Sequence, residues 1–130
     1  MSSLTRPRAV VLTIGLLCAL LAQGAPASNA AAVVIYNVGA VTWHAKKFTS
    51  QTLTIKGYVL AQSSGYLLFS DEPTGKISSH DLPVTGPGIE QMQLAKGYIL
   101  VGQFVAGGLS ASNGNPYHLE LTAPPQQLAQ

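Results

Sequence analysis

The sequence predicts an all-β domain, a small closed barrel of five short strands with little or no helix. Three observations carry this expectation. Thr52 to Val59 alternates polar and apolar residues with a period of two, and Gly97 to Val105 is a second long β-prone segment. Each of these segments has a glycine in its interior, Gly57 and Gly102, where a bulge or sharp bend lets one strand serve two sheets. From Gln62 onward, turn-forming residues cut the chain into short runs, which suits a meander of strands and leaves no room for a dominant helix.

The first thirty or so residues stand apart from this domain. Arg6 and Arg8 precede an apolar run from Ala9 to Ala22, and Ser28-Asn29-Ala30 then has the small-x-small form of a cleavage site. Ala25-Pro26-Ala27 and Ala30-Ala31-Ala32 are competing registers. The reading is a helical secretory signal peptide over residues 1–30, removed in the mature protein. A retained anchor is the alternative, but the run is shorter than the roughly 20 residues a span needs. Cys18, the chain's one cysteine, follows Leu17 where a lipoprotein site wants a small residue, so it is expected to leave with the signal.

Removing that segment changes the charge. Both arginines go with it, and five lysines (Lys46, Lys47, Lys56, Lys76, Lys96) then balance five acids (Asp71, Glu72, Asp81, Glu90, Glu120). A neutral, arginine-free chain lacks the electrostatic footprint for phosphate backbones or anionic lipid. It also has no disulfide to draw on, so a mature chain of about a hundred residues must hold itself together with its core.

In chain order, residues 31–51 form an N-terminal segment expected to pack on the barrel. Val33 to Tyr36 is β-prone, whereas Trp43 to Phe48 has no clean period, so the segment reads either as a short edge strand and turn or as a helical turn capping one end. The barrel is expected over residues 52–124. Its first strand passes through Leu53, Ile55, Gly57 and Val59 on one face, and Gln62 to Gly65 turns it into Tyr66 to Ser70. A short segment around Lys76 to Ser78 follows. His80 to Ile89, with Pro83, Pro87 and two glycines, reads as a loop or short edge strand. One helical turn fits Ile89 to Leu94. Gly107 to Pro116 is a long polar connection into Tyr117 to Thr122, where Tyr117, Leu119 and Leu121 face one way and His118 and Glu120 the other. Residues 125–130 read as a flexible tail after Pro124-Pro125.

The core of the first strand, Lys56-Gly57-Tyr58-Val59-Leu60, returns as Lys96-Gly97-Tyr98-Ile99-Leu100. Nothing flanking the two copies matches at the same offset, so the echo reads as two strands under similar demands rather than as a duplicated module.

This order of elements resembles the oligonucleotide/oligosaccharide-binding (OB) fold, a five-stranded Greek-key barrel, and Leu53 to Val59 looks like the opening strand of small exported bacterial OB domains of uncharacterised type. The likeness covers Thr52 to Thr122. One departure is the short Gly86 to Leu94 stretch where many OB domains place a capping helix, which suggests that the Trp43 region plugs the barrel instead. The resemblance implies a ligand face on the second and third strands and the loops beside them. Mapped here, the candidate ligand-binding residues are Tyr66, Phe69, His80, Ser112, Asn113, Asn115 and Tyr117.

Chemistry beyond binding finds little support in the residues. Ser79-His80-Asp81 has the residue types of a hydrolase triad, but adjacent residues in an extended chain point apart, and no Gly-x-Ser-x-Gly elbow is present. His44, His80 and His118 are each isolated from any second His or Cys at ligand spacing, so no metal site and no cofactor is assigned. The expectation is an exported, non-enzymatic binding or interaction module, periplasmic or secreted, without stable membrane insertion after cleavage. An envelope protein, peptide or glycan suits it better as partner than nucleic acid. The alternative is a periplasmic metal- or haem-handling accessory protein, although His118 lies in a strand pattern and no His-x-x-x-Tyr motif follows it.

Overall fold

The computed structural model describes residues 33–129. The expected signal peptide, with Cys18, lies outside these residues. The elements are β1 (Ile35–Asn37), α1 (Val38–Thr42), α2 (Ala45–Phe48), β2 (Thr52–Ser63), β3 (Tyr66–Ser70), β4 (Leu82–Thr85), a 3-10 turn (Ile89–Gln91), β5 (Gly97–Ala106), β6 (Tyr117–Leu121) and β7 (Gln126–Gln127).

Five strands close on themselves in the order β2-β3-β4-β6-β5 and back to β2. Every pairing in the ring is antiparallel except that of β4 with β6. The result is the expected OB-like Greek-key barrel, with β1 and β7 added outside the ring. Closure removes the sheet edges that an open five-stranded sheet would expose.

β2 closes the ring because it is long enough to serve two neighbours. Thr52 to Tyr58 pairs with β5, and Tyr58 to Ser63 pairs with β3. The register slips between Val59 and Ala61, so the bulge sits at Leu60 and not at Gly57. Gly57 answers a different need. A Cβ there would lie 2.6 Å from the Ser70 carbonyl oxygen and 2.9 Å from the Phe69 ring, and at Gly102 it would lie 2.5 Å from the Glu120 carbonyl oxygen. Both glycines let backbones approach where a barrel this small must crowd them.

The sequence echo has a geometric cause. Gly57 stands opposite Tyr98, and Tyr58 stands opposite Gly97, in the antiparallel β2–β5 ladder. Tyr58 lies over Gly97, whose added Cβ would come within 3.1 Å of that ring. Each Gly-Tyr pair therefore faces the other's Tyr-Gly across the antiparallel ladder, which accounts for the echo as cross-strand register.

Inside the ring, Ile55, Val59, Phe69, Leu82, Val84, Leu100, Phe104 and Leu119 are fully buried. Burying each such side chain contributes roughly 1.5–3 kcal/mol. The N-terminal segment resolves as helical: Val38 and Val41 of α1 and Phe48 of α2 join this core. Trp43 does not, so the plug is made by its neighbours and Trp43 is left outside. Asp71, from the end of β3, accepts hydrogen bonds from the Val38 and Gly39 amides at 2.8 and 2.9 Å. One carboxylate thus caps the first turn of α1 and ties it to the barrel.

Two sequence expectations need correction. The third barrel strand is Leu82–Thr85, an interior strand between β3 and β6, rather than an edge or the Lys76 to Ser78 segment. Pro83 is tolerated there because it stands opposite Leu68 on β3 while the ladder to β6 starts only at Val84. The tail is also not loose: Gln126 and Gln127 pair with Ile99 and Tyr98, and the Leu128 amide donates to the Gly97 carbonyl at 2.9 Å.

Candidate functional site

Register fixes which residues line the outer face of β3, β4 and β6. Leu67 and Phe69 point into the core, so Tyr66, Leu68 and Ser70 point out. Opposite Leu68 stands Pro83, and the pairing of Val84 with Leu119 sets Pro83 beside His118. Yet Tyr66, Leu68, Ser70, Pro83 and His118 are all buried. The connection Gly107 to Pro116 reaches this face as a strap, with its Ser112 amide on the Tyr66 hydroxyl and its Gly108 beside the His118 ring.

The strap is fastened at both ends of the face. Near the start of β3, the Ser112 amide donates to the Tyr66 hydroxyl oxygen at 2.9 Å. Toward the start of β4, the Asn113 side-chain amide donates to the Ser78 and Asp81 carbonyls, 2.9 Å each, and the Asn115 side-chain amide donates to the Asp81 carbonyl at 3.0 Å. The two asparagine oxygens accept from the Asn115 and Tyr117 amides. At its neck the Gly107 amide donates to the Pro116 carbonyl at 2.8 Å. Hydrogen bonding, from Ser112 first and Ser63 second, holds the Tyr66 phenol below the usual tyrosine value.

The sequence-derived candidates thus divide. Tyr66, Ser112, Asn113 and Asn115 come together, but their polar atoms bond one another and the backbone instead of pointing to solvent. Phe69 is 0% exposed and belongs to the core, so it offers no ring face to a ligand. Tyr117 stacks on Phe104 with ring centroids 5.3 Å apart, on the core side of β6. The face that the fold resemblance pointed to is covered by the chain itself, which sequence patterning could not show because the covering loop has no periodicity of its own.

His80 leads to a different surface. Its ring lies flat on Trp43, centroids 3.6 Å apart and planes 15° from parallel. Trp43 is 66% exposed even so, the largest side chain in this protein to be left so open, and Ile77 nearby in sequence to His80 is also exposed. Two local structures hold the stack. Trp43 ends α1, its amide donating to the Gly39 carbonyl at 3.1 Å. His80 sits in a self-bonded turn in which the Ser78 amide donates to the Asp81 carboxylate, the Asp81 amide to the Ser78 carbonyl, and the His80 amide to the Ser78 hydroxyl. The result is a stiff aromatic platform with one indole face available. The sequence singles out His80 and points to the Trp43 region as a plug; Val38, Val41 and Phe48 of that region fill this role, and Trp43, which breaks their apolar spacing, stays outside.

The other concavities are shallow. A cleft of about 350 Å³ lies between the 3-10 turn and the tail, bordered by Pro87, Gly88, Gln91, Leu121 and Pro124. A second, of about 390 Å³, lies beside the β2–β3 turn and includes Gln62, Tyr66 and Glu90. The three histidines remain in separate places, His44 exposed before α2, His80 on Trp43 and His118 under the strap, and no group of three or more His, Cys, Asp or Glu converges among the described residues.

Fold and surfaces together define a small, self-strapped OB-like β-barrel with an exposed aromatic platform. No protein-family model matches the chain, and no curated protein matches it. Among solved structures it is similar to the crystal structure of a DUF3299 family protein from Pseudomonas aeruginosa PAO1, at 10% identity and a TM-score of 0.47, over 65% of this chain and 66% of that one. The chain thus spans slightly less than two thirds of that protein. A likeness at this level assigns neither a family nor a function.

Proposed function

We propose that this chain is an exported, non-enzymatic binding module of the bacterial envelope, whose partner, an envelope protein, peptide or glycan, docks on the platform of Trp43 and His80. The observation that carries this reading is the stacked, 66% exposed Trp43. A large aromatic surface left in water is unfavourable unless something covers it, and a ring held flat by a second ring loses little freedom when a sugar or an apolar side chain settles on it. Charge balance after signal removal supports a neutral partner over nucleic acid.

Trp43 is the one tryptophan in the chain, so its fluorescence reports on this surface alone. Titrating the mature protein with soluble muropeptides, and separately with fractions of envelope protein, should produce a saturable change in Trp43 emission. The bound species should be retained on immobilised protein and lost with Trp43→Ala. An unchanged spectrum throughout, or full retention by Trp43→Ala, contradicts the reading.

A further inference from the structure

His118 is buried at 3% exposure on the outer face of β6, with the strap above it; the Cβ position of Gly108 lies 3.7 Å from its Cε1. Its Nε2 lies 3.0 Å from the Glu120 carboxylate, and its Nδ1 has no hydrogen-bond partner. A carboxylate only accepts, so in the neutral ring Nε2 carries the proton and Nδ1 presents a bare lone pair. An empty acceptor is a tolerable defect; a buried, charged N–H donor without an acceptor is a severe one. Protonation would turn the first into the second.

From this arrangement we infer that Gly107 to Pro116 is an acid-released strap, latched while His118 is neutral and lifted when Nδ1 takes a proton. The inference does not depend on the Trp43 reading, because it concerns the opposite fate of a covered face. Glu120 is half exposed and can pair with the imidazolium whether the strap is down or up, so it does not by itself favour the closed form. The difference lies at Nδ1, which is closed to solvent and without a partner while the strap is down. The groups around it supply no alternative acceptor charge. β4 and the strap carry no ionisable side chain, and β5 carries only Tyr98, which faces the core. The Asp81 carboxylate is occupied by the Ser78 amide, and Tyr66 accepts from Ser112. The hinge is suited to movement: Gly107 and Gly108 both have positive φ, +77° and +79°, at the point where the strap leaves β5. Lifting it would release the Tyr66 hydroxyl from Ser112 and open the space beside His118.

Amide hydrogen exchange on the full mature chain tests this. Comparing about pH 5.5 with about pH 7.5, which bracket the range where imidazoles titrate, exchange at Gly107 and Ser112 should be at least about tenfold faster in acid after correction for intrinsic rates. Amides of β2 and β5 should not change. His118→Gln, which can still donate to Glu120, should abolish the difference. Glu120→Gln, whose amide oxygen can still accept from Nε2, should keep it. Should His118→Gln fail to fold, ring nitrogen chemical shifts of the wild-type protein decide the matter: the Nε2–H tautomer at neutral pH, and an Nδ1 that protonates together with strap exchange, are expected. Equal exchange at the two pH values, an unaltered pH response in His118→Gln, loss of the response in Glu120→Gln, or an Nδ1–H tautomer would each overturn the inference.

Discussion

Gly57 shows how much a single residue settles in this barrel. A methyl group there meets the Ser70 carbonyl oxygen at 2.6 Å and Val38 Cγ2 at 3.0 Å, so it would press apart both the β2–β3 crossing and the α1 plug. Gly57→Ala should therefore destabilise the fold by about 1–3 kcal/mol, the usual cost of overpacking, despite the better β-propensity of alanine. Chemical denaturation of the two proteins measures this, and an unchanged midpoint would remove the close-approach account. The same scale explains why the sequence echo carries no function of its own. Lys56-Gly57-Tyr58 and Lys96-Gly97-Tyr98 are two halves of one cross-strand arrangement, each tyrosine lying opposite the other's glycine. His118, by contrast, reads in sequence as an ordinary outward residue of an alternating strand, and the tertiary fold buries it.

At the scale of elements, the molecule depends on side chains that join segments distant in sequence. α1 has five residues and no acidic residue in its first turn, too short to persist alone, and its first two amides are held by Asp71 from the end of β3. Asp71→Ala should cost about 1 kcal/mol of stability, in the range of a lost helix cap. Because Trp43 ends that helix, the same change should broaden or shift Trp43 emission before global unfolding; a native spectrum would show that α1 is held by its apolar contacts alone. The Ser78 to Asp81 turn plays a comparable joining role. It presents His80 to Trp43 on one side and takes the strap's asparagines on the other. Strap and platform therefore share one rigid turn.

For the whole molecule, the reading that matters most is export. The full-length protein produced in a bacterial host should appear in the periplasmic or extracellular fraction at the mass of a chain lacking about thirty N-terminal residues. Full-length protein held in the membrane would favour the anchor instead. Much of the architecture is legible in the chain alone: strand periodicity in residues 52–59, glycines within the long strands and turn chemistry between the runs specify a five-stranded barrel, because these are local properties of backbone and pattern. Composition likewise makes residues 31–130 neutral and free of arginine. Tertiary structure alone decided what the surface offers. Pro83 entered an interior strand because β6 does not use its amide position, the strap closed over Tyr66 and His118, and Trp43 was left in solvent against His80. Each of these outcomes rests on contacts between residues tens of positions apart, and a one-dimensional pattern has no term for what lies across the barrel.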